Sequence, residues 1–281
     1  MTVNASVAGT FSLGGDVSVN RLGYGAMRIT GPQIMGEPRD VEEARRVLLR
    51  AVELGVTFID TAHAYGPLVS ERLIGETLAP YRDDMVIATK GGLHRNGRGA
   101  WLADCSPATL RAELEQSLQL LRLETIDLYQ LHTVDPRVSV SESVGALAQM
   151  QRDGLIKMIG VSNVDVDDLR AAQAEAQIVS VQNRFSVGDH DPVLDVCERE
   201  GLAFIPWYPL RAGAVASERR LHDAAARLGA TTFQVALAWL LRRSANMLPI
   251  PGTSTVPHLE ENVGAAALAL AGDDFNALGG A

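Results

Sequence analysis

Eight short β-rich runs recur along this chain, with amphipathic helical stretches between them. The runs cover residues 21–27, 57–60, 85–90, 126–132, 156–161, 178–182, 203–207 and 247–251. Strands that alternate with helices run parallel, because each helix serves as the crossover back to the same end of the sheet. Eight such units in 281 residues predict a (β/α)8 TIM barrel, a single domain over residues 1–281. An open doubly wound sheet is the alternative. Its dinucleotide-binding form needs GxGxxG at the first strand–helix turn, and Gly23-Tyr-Gly25-Ala-Met-Arg28 lacks the third glycine.

The helical stretches carry their own punctuation. Val41, Ala44, Val47, Leu48, Ala51 and Leu54 make one apolar stripe, entered by an Asp40/Glu43 capping-box pair. Leu110, Leu114, Leu118 and Leu121 make another, entered by Ser106 as N-cap and Pro107 at N1. Thr231 and Gln234 form a capping-box signature, and Pro257 opens the last helix. Ahead of the first barrel strand, Gly14-Gly15 separates two short extended runs. This predicts an N-terminal β-hairpin closing the bottom of the barrel.

Composition narrows the function. The net charge of −9 lacks the basic footprint that nucleic acid or an anionic membrane surface requires. No run reaches the ~18 apolar residues of a transmembrane helix. The first twenty residues show no basic segment followed by an apolar core, so a cytoplasmic location is expected. Two cysteines, Cys105 and Cys197, form no CxxC, and no Cys/His spacing suits a metal. The expected partner is a small molecule; oligomeric state is not legible.

In a barrel, chemistry sits at the carboxyl ends of the strands. Asp60, Lys90 and His132 end three neighbouring runs, and Tyr65 follows Asp60 in the next loop. Singly, each has an ordinary role: a turn aspartate, a snorkelling lysine, a hydrogen-bonded histidine, a packed tyrosine. Together they suit carbonyl reduction. A phenol with a pKa near 10 is a poor proton donor at neutrality, and an adjacent ammonium would lower that pKa. A carboxylate would hold the lysine charged, and a histidine would orient the carbonyl. The hydride must come from a cofactor.

These residues stand in motifs that resemble the aldo-keto reductase family. Gly-Val-Thr-Phe-Ile-Asp60-Thr-Ala-His-Ala-Tyr65-Gly with Ser70-Glu71-Arg-Leu-Ile-Gly75 is similar to its signature. Ala-Thr-Lys90, Leu-Tyr-Gln-Leu-His132, Ile159-Gly160-Val161-Ser162-Asn163, Val181-Gln182-Asn183, Trp207-Tyr208-Pro209-Leu210, Ile250-Pro251-Gly252-Thr253 and Glu261-Asn262 follow in family order. The resemblance implies a barrel that binds NADP(H) without a Rossmann domain. It implies a tetrad of Asp60, Tyr65, Lys90 and His132, with Tyr65 as general acid. Ser162, Asn163 and Gln182 would hold the nicotinamide carboxamide, and Trp207 would stack on its ring. The segments Tyr208, Pro209, Leu210 and Gly252, Thr253, Ser254 would cradle the phosphates; Arg211 stands where the family often has glycine, and either reaches the pyrophosphate or is solvated. Glu261 and Asn262 would contact the adenine.

One departure touches the cofactor. Where relatives commonly place Lys or Arg for the 2′-phosphate, this chain has Ser254, Thr255 and His258. NADPH is expected, with NADH possible. The scaffold most resembles the bacterial pyridoxal reductase (pyridoxine 4-dehydrogenase) subgroup, through Asn20-Arg-Leu-Gly-Tyr-Gly-Ala-Met27 and Pro251-Gly-Thr-Ser254. Pyridoxal or another aromatic aldehyde is therefore the candidate substrate. Met27, Arg28, Trp101 and Phe185 are candidate pocket walls, and the loop 91–105 adds His94, Arg95 and Arg98. Two rivals remain: an NADP(H)-binding sensor or regulatory subunit with little turnover, and a barrel lyase using Lys90 as a Schiff base. The lyase needs an uncharged lysine.

Overall fold

A computed structural model describes residues 3–97 and 99–280; Arg98 lies outside the described residues. The chain opens with an antiparallel hairpin, β1 (Thr10–Leu13) and β2 (Val17–Asn20), paired Thr10↔Asn20 through Leu13↔Val17. Gly14 and Gly15 turn the chain at φ of +61° and +95°, a region costly for other residues. Leu13 and Val19 are buried among Phe58, Val86, Leu128 and Met158, side chains inside the amino-terminal half of the barrel. The hairpin thus seals the barrel floor.

The barrel strands are β3 (Tyr24–Gly25), β4 (Phe58–Asp60), β5 (Val86–Gly91), β8 (Ile126–Leu131), β9 (Ile156–Ser162), β10 (Ile178–Gln182) and β11 (Ala203–Phe204). They hydrogen-bond in the order β3-β4-β5-β8-β9-β10-β11, each pair parallel. A second hairpin, β6 (Leu93–Arg95) and β7 (Trp101–Ala103), stands in the loop after β5.

The eighth run does not form a laddered strand. Residues 247–251 meet β11 through the bridge Phe204↔Met247 and the bond Leu248 N to Phe204 O at 2.9 Å. On the other side Gly23 N donates to Pro249 O at 2.9 Å. Pro249 and Pro251 have no N–H to offer a ladder. A side chain helps instead: the buried Tyr24 hydroxyl donates to Thr253 O at 2.7 Å.

The outer helices are α1 (Val41–Glu53), α2 (Val69–Leu78), α3 (Pro107–Leu121), α4 (Val140–Arg152), α5 (Val166–Glu175), α6 (Pro192–Glu200), α7 (Arg219–Leu228), α8 (Thr232–Arg243), α9 (Val256–Gly264) and α10 (Gly272–Ala277). Ser106 caps α3, and Thr231 with Gln234 makes a reciprocal capping box at α8. At α1 only half the expected box forms. Asp40 accepts from Glu43 N, but the Glu43 carboxylate is taken by Arg46 and by Val256 N at the start of α9. Pro257 sits in the first turn of α9, which is not the last helix because α10 follows. No single helix among the described residues is long and apolar enough to cross a membrane.

Candidate active site

Period-two alternation decides which side chains enter the barrel. Along β5, Val86, Ala88 and Lys90 face inward; along β8, Leu128 and Gln130 do so, with His132 just beyond; along β4, Phe58 and Asp60. The register pairs Asp60 with Ala88, Ala88 with Leu128 and Lys90 with Gln130. Apolar residues therefore fill the lower layers, and charged ones collect at the carboxyl ends.

Lys90 is fully buried. Its Nζ donates to Asp60 Oδ2 at 2.7 Å and to Thr61 O at 2.7 Å. The other Asp60 oxygen, Oδ1, accepts from Gln182 Nε2 at 2.8 Å and Gln130 Nε2 at 3.2 Å. A buried ion pair persists only when its remaining polar atoms are satisfied, and this carboxylate has three side-chain donors. Sequence reasoning misses Gln130; its signal is a polar residue two before His132, on the inward face of β8. Gly160 leaves it room, since a Cβ there would lie 3.0 Å from Gln130 Cγ.

Burial opposes charge on Lys90, but Asp60 and Tyr65 outweigh it, and the pKa stands above the ordinary lysine value. The ammonium lies 5.2 Å from the Tyr65 ring centroid. Tyr65 itself departs from expectation. Burial raises its pKa more than Lys90 pulls it down, so the net direction is upward and the phenol keeps its proton. His132 is held well below the ordinary histidine value by burial, Lys90 and His63, so its imidazole is neutral. Its Nδ1 has no hydrogen-bond partner among the described residues. The Tyr65 and His132 rings meet edge-on at 5.9 Å.

Asp60, Tyr65 and His132 line a cavity of about 750 Å³, with Lys90 behind them. Ser162, Asn163 and Gln182 line the same cavity, as do Trp207, Tyr208, Pro209 and Leu210. Trp207 Nε1 donates to Asn163 Oδ1 at 3.0 Å, and Asn163 Nδ2 donates to the His132 carbonyl at 2.9 Å. Farther along lie Gly252, Thr253, Ser254, His258, Glu261 and Asn262. The segment Gly252–Ser254 runs into α9, whose N-cap Thr255 makes no side-chain bond to the first-turn amides. Met27, Arg28 and Trp101 are on the wall, with Trp101 6.4 Å from the His132 ring and under the Arg95 guanidinium at 4.1 Å. Ile34, Leu93, Ala212, Gly213 and Phe233 also line the cavity; as small or apolar residues they carry no polar signal in the sequence.

Two expected positions fall elsewhere. Phe185 is fully buried, edge-on to Phe204 and stacked on Trp239, so it belongs to the core and not to the pocket wall. Arg211 does not line the cavity; Glu218, Asp189 and the Val187 carbonyl hold its guanidinium. An arginine already paired twice has no free face for a pyrophosphate.

The cavity thus brings a buried Asp–Lys pair, a protonated tyrosine and a neutral histidine together at the carboxyl ends of barrel strands, where barrel enzymes place their chemistry. The sequence profile described as Aldo/keto reductase family matches residues 21–281, and the chain belongs to that family. It is 48% identical over 276 residues to an uncharacterized oxidoreductase of Schizosaccharomyces pombe, covering 97% of this chain and 90% of that one. It is 43% identical over 279 residues to pyridoxine 4-dehydrogenase of Escherichia coli K12, covering 96% and 97%. Among solved structures it is similar to a thermostable aldo-keto reductase in complex with epalrestat (TM-score 0.84, 31% identity, 96% and 98% covered). It is also similar to a point mutant of Gox0644 in complex with NADPH (TM-score 0.78, 25% identity, 96% and 92% covered).

Proposed function

We propose that this oxidoreductase reduces an aldehyde or ketone to an alcohol, with NADPH as the reductant. The observation that carries the reading is the buried Asp60–Lys90 pair beside the Tyr65 phenol at the cavity wall. Bound NADPH supplies the hydride that no side chain can. Tyr65, protonated in its buried setting, donates a proton to the carbonyl oxygen as negative charge develops there. Lys90 stabilises the phenolate left behind, and Asp60 keeps Lys90 charged and fixed. The neutral His132 orients the carbonyl by donating a ring N–H to it.

The residues fit the cofactor. Ser162, Asn163 and Gln182 offer amide and hydroxyl groups for a carboxamide, and Trp207, steadied by Asn163, offers a ring face. Gly252–Ser254, on the cavity wall, offers backbone groups to phosphate ahead of α9, whose first amide, Val256 N, is taken by Glu43 and whose Pro257 has no N–H. The candidate substrate is pyridoxal or another aromatic aldehyde. Similarity to pyridoxine 4-dehydrogenase over nearly its whole length supports this, as do the Met27, Ile34 and Trp101 walls, which suit a flat ring. The charged Lys90 weighs against Schiff-base chemistry.

The test follows NADPH absorbance with pyridoxal and simple aromatic aldehydes, for the native chain and Tyr65→Phe. Aldehyde-dependent oxidation that drops by about 10²–10⁴ in the variant supports the reading. Retained cofactor binding with no turnover on any aldehyde replaces it with the sensor reading.

A further inference from the structure

Behind the tetrad, away from the cavity, lies a second group of buried ionisable side chains. The end of β5 joins the two. Its three consecutive residues point to three partners. The Lys90 side chain reaches Asp60, the Gly91 carbonyl accepts His132 N at 2.9 Å, and Gly92 N donates to Glu113 Oε2 at 2.7 Å. Glu113, on α3, is 6% exposed. Its other oxygen lies 3.5 Å from His63 Nδ1, and His63 N donates to the Lys90 carbonyl at 3.2 Å. The carboxyl therefore holds the backbone beside Lys90 directly through Gly92, while its approach to His63 Nδ1 is not a hydrogen bond and the His63 ring pairs with Gln116 through Nε2. There is no slack in this corner: a Cβ at Gly91 would collide with the Tyr129 hydroxyl and lie 3.0 Å from Glu113 Oε2.

We infer that Glu113 is a positioning residue for the reaction proposed above. Through Gly92 it fixes the end of β5 that holds Lys90 and receives His132, and gain or loss of its charge changes turnover. The inference rests on the carbonyl-reductase reading of the cavity. A carboxylate holds a backbone N–H about twice as strongly as a neutral acid does, so ionisation tightens the Gly92 contact. The change falls in an accessible range, because burial pushes the Glu113 carboxyl up to about 7 against the pull of Gly92 N–H. The groups facing it are His63 before α2, Glu71 on α2, His94 on β6, Asp104 and Cys105 before α3, and Tyr129 on β8. His94 draws its pKa down and Asp104 pushes it up. Tyr65, whose pKa is raised, does not titrate in this window.

The experiment is the pH profile of NADPH-dependent aldehyde reduction between pH 5.5 and 8.5, with folding checked by thermal melts and cofactor binding by NADPH fluorescence. In the native chain kcat rises roughly threefold to tenfold through pH 7, with KM within about twofold. Glu113→Gln, which still accepts from Gly92 but has no charge to lose, removes the step. Should that variant fail to fold, two substitutions outside the buried corner decide the matter. His94→Gln moves the step to higher pH, and Asp104→Asn moves it to lower pH. A step that keeps its position in both, or survives in Glu113→Gln, overturns the inference while leaving the proposed function intact. No aldehyde turnover by the native chain overturns the function and this inference with it.

Discussion

Gln182 Nε2 donates to Asp60 Oδ1 at 2.8 Å, across 122 residues of sequence. The amide proposed to face the cofactor is thus also a donor to the carboxylate that holds Lys90. Binding and acid chemistry share this side chain. Gln182→Ala should weaken NADPH binding and also lower kcat, since Asp60 loses one of its donors. Losing a hydrogen bond to a charged group costs about 1.5–3 kcal/mol, or roughly ten- to hundredfold in kcat/KM. Fluorescence titration with steady-state kinetics separates the two losses. A variant altered in binding alone would disprove the coupling.

Asp60→Asn should cost stability as well as activity. It leaves the fully buried Lys90 ammonium without its counter-charge, and removing one partner of a buried pair costs about 3–5 kcal/mol. The sign follows from Lys90, whose folded-state pKa is raised. Stabilisation from such a group is complete below the ordinary lysine range and is lost only as pH rises through the raised value. Urea unfolding at pH 7 therefore reads the whole effect, and an unchanged midpoint would show the pair to be dispensable.

Glu113 has the opposite influence on stability near neutrality. Its carboxyl titrates near 7 in the fold against an ordinary 4.5, so the native state holds a proton that the unfolded chain has released. Stability from this group is full below about pH 4.5 and declines as pH rises through 7. The loss approaches about 3 kcal/mol at roughly 1.4 kcal/mol per pKa unit. Glu113→Gln should remove that decline, so that its unfolding free energy gains on the native chain's between pH 5 and 8. Parallel curves would refute the assignment.

His258→Arg should sharpen cofactor choice. His258 and Ser254 line the far end of the cavity, where a fixed positive charge would meet a 2′-phosphate. The variant is expected to bind NADPH roughly tenfold more tightly than the native chain does, with little change for NADH. Equal gains for both cofactors would place the 2′-phosphate elsewhere.

The barrel is legible because its signal is repeated: eight β-rich runs alternate with amphipathic stretches, and the caps read at α3 and α8 agree with them. Asp60, Lys90 and His132 can be picked out because each ends an apolar run, where polarity has no packing reason. Phe185 cannot be placed, because a phenylalanine in a loop reads the same as wall or core; Phe204 and Trp239, which enclose it, come from distant elements. Arg211 reads as free in the sequence because Asp189 and Glu218 are in other segments. Glu113 leaves only a trace. It sits on the buried stripe of Leu110, Leu114, Ser117 and Leu121, where a carboxylate needs a partner. That partner is a backbone N–H, which no pattern of side chains reveals.

Pro249 and Pro251 leave the ring of strands without a full ladder where its first and last segments meet. Across that gap the Tyr24 hydroxyl grips the Thr253 carbonyl, in the very segment proposed to receive phosphate. A single phenol thus acts as keystone for both the circle and its ligand cradle. Whatever loosens the one slackens the other, and the barrel's least-stitched line is where an arriving nucleotide would be felt first.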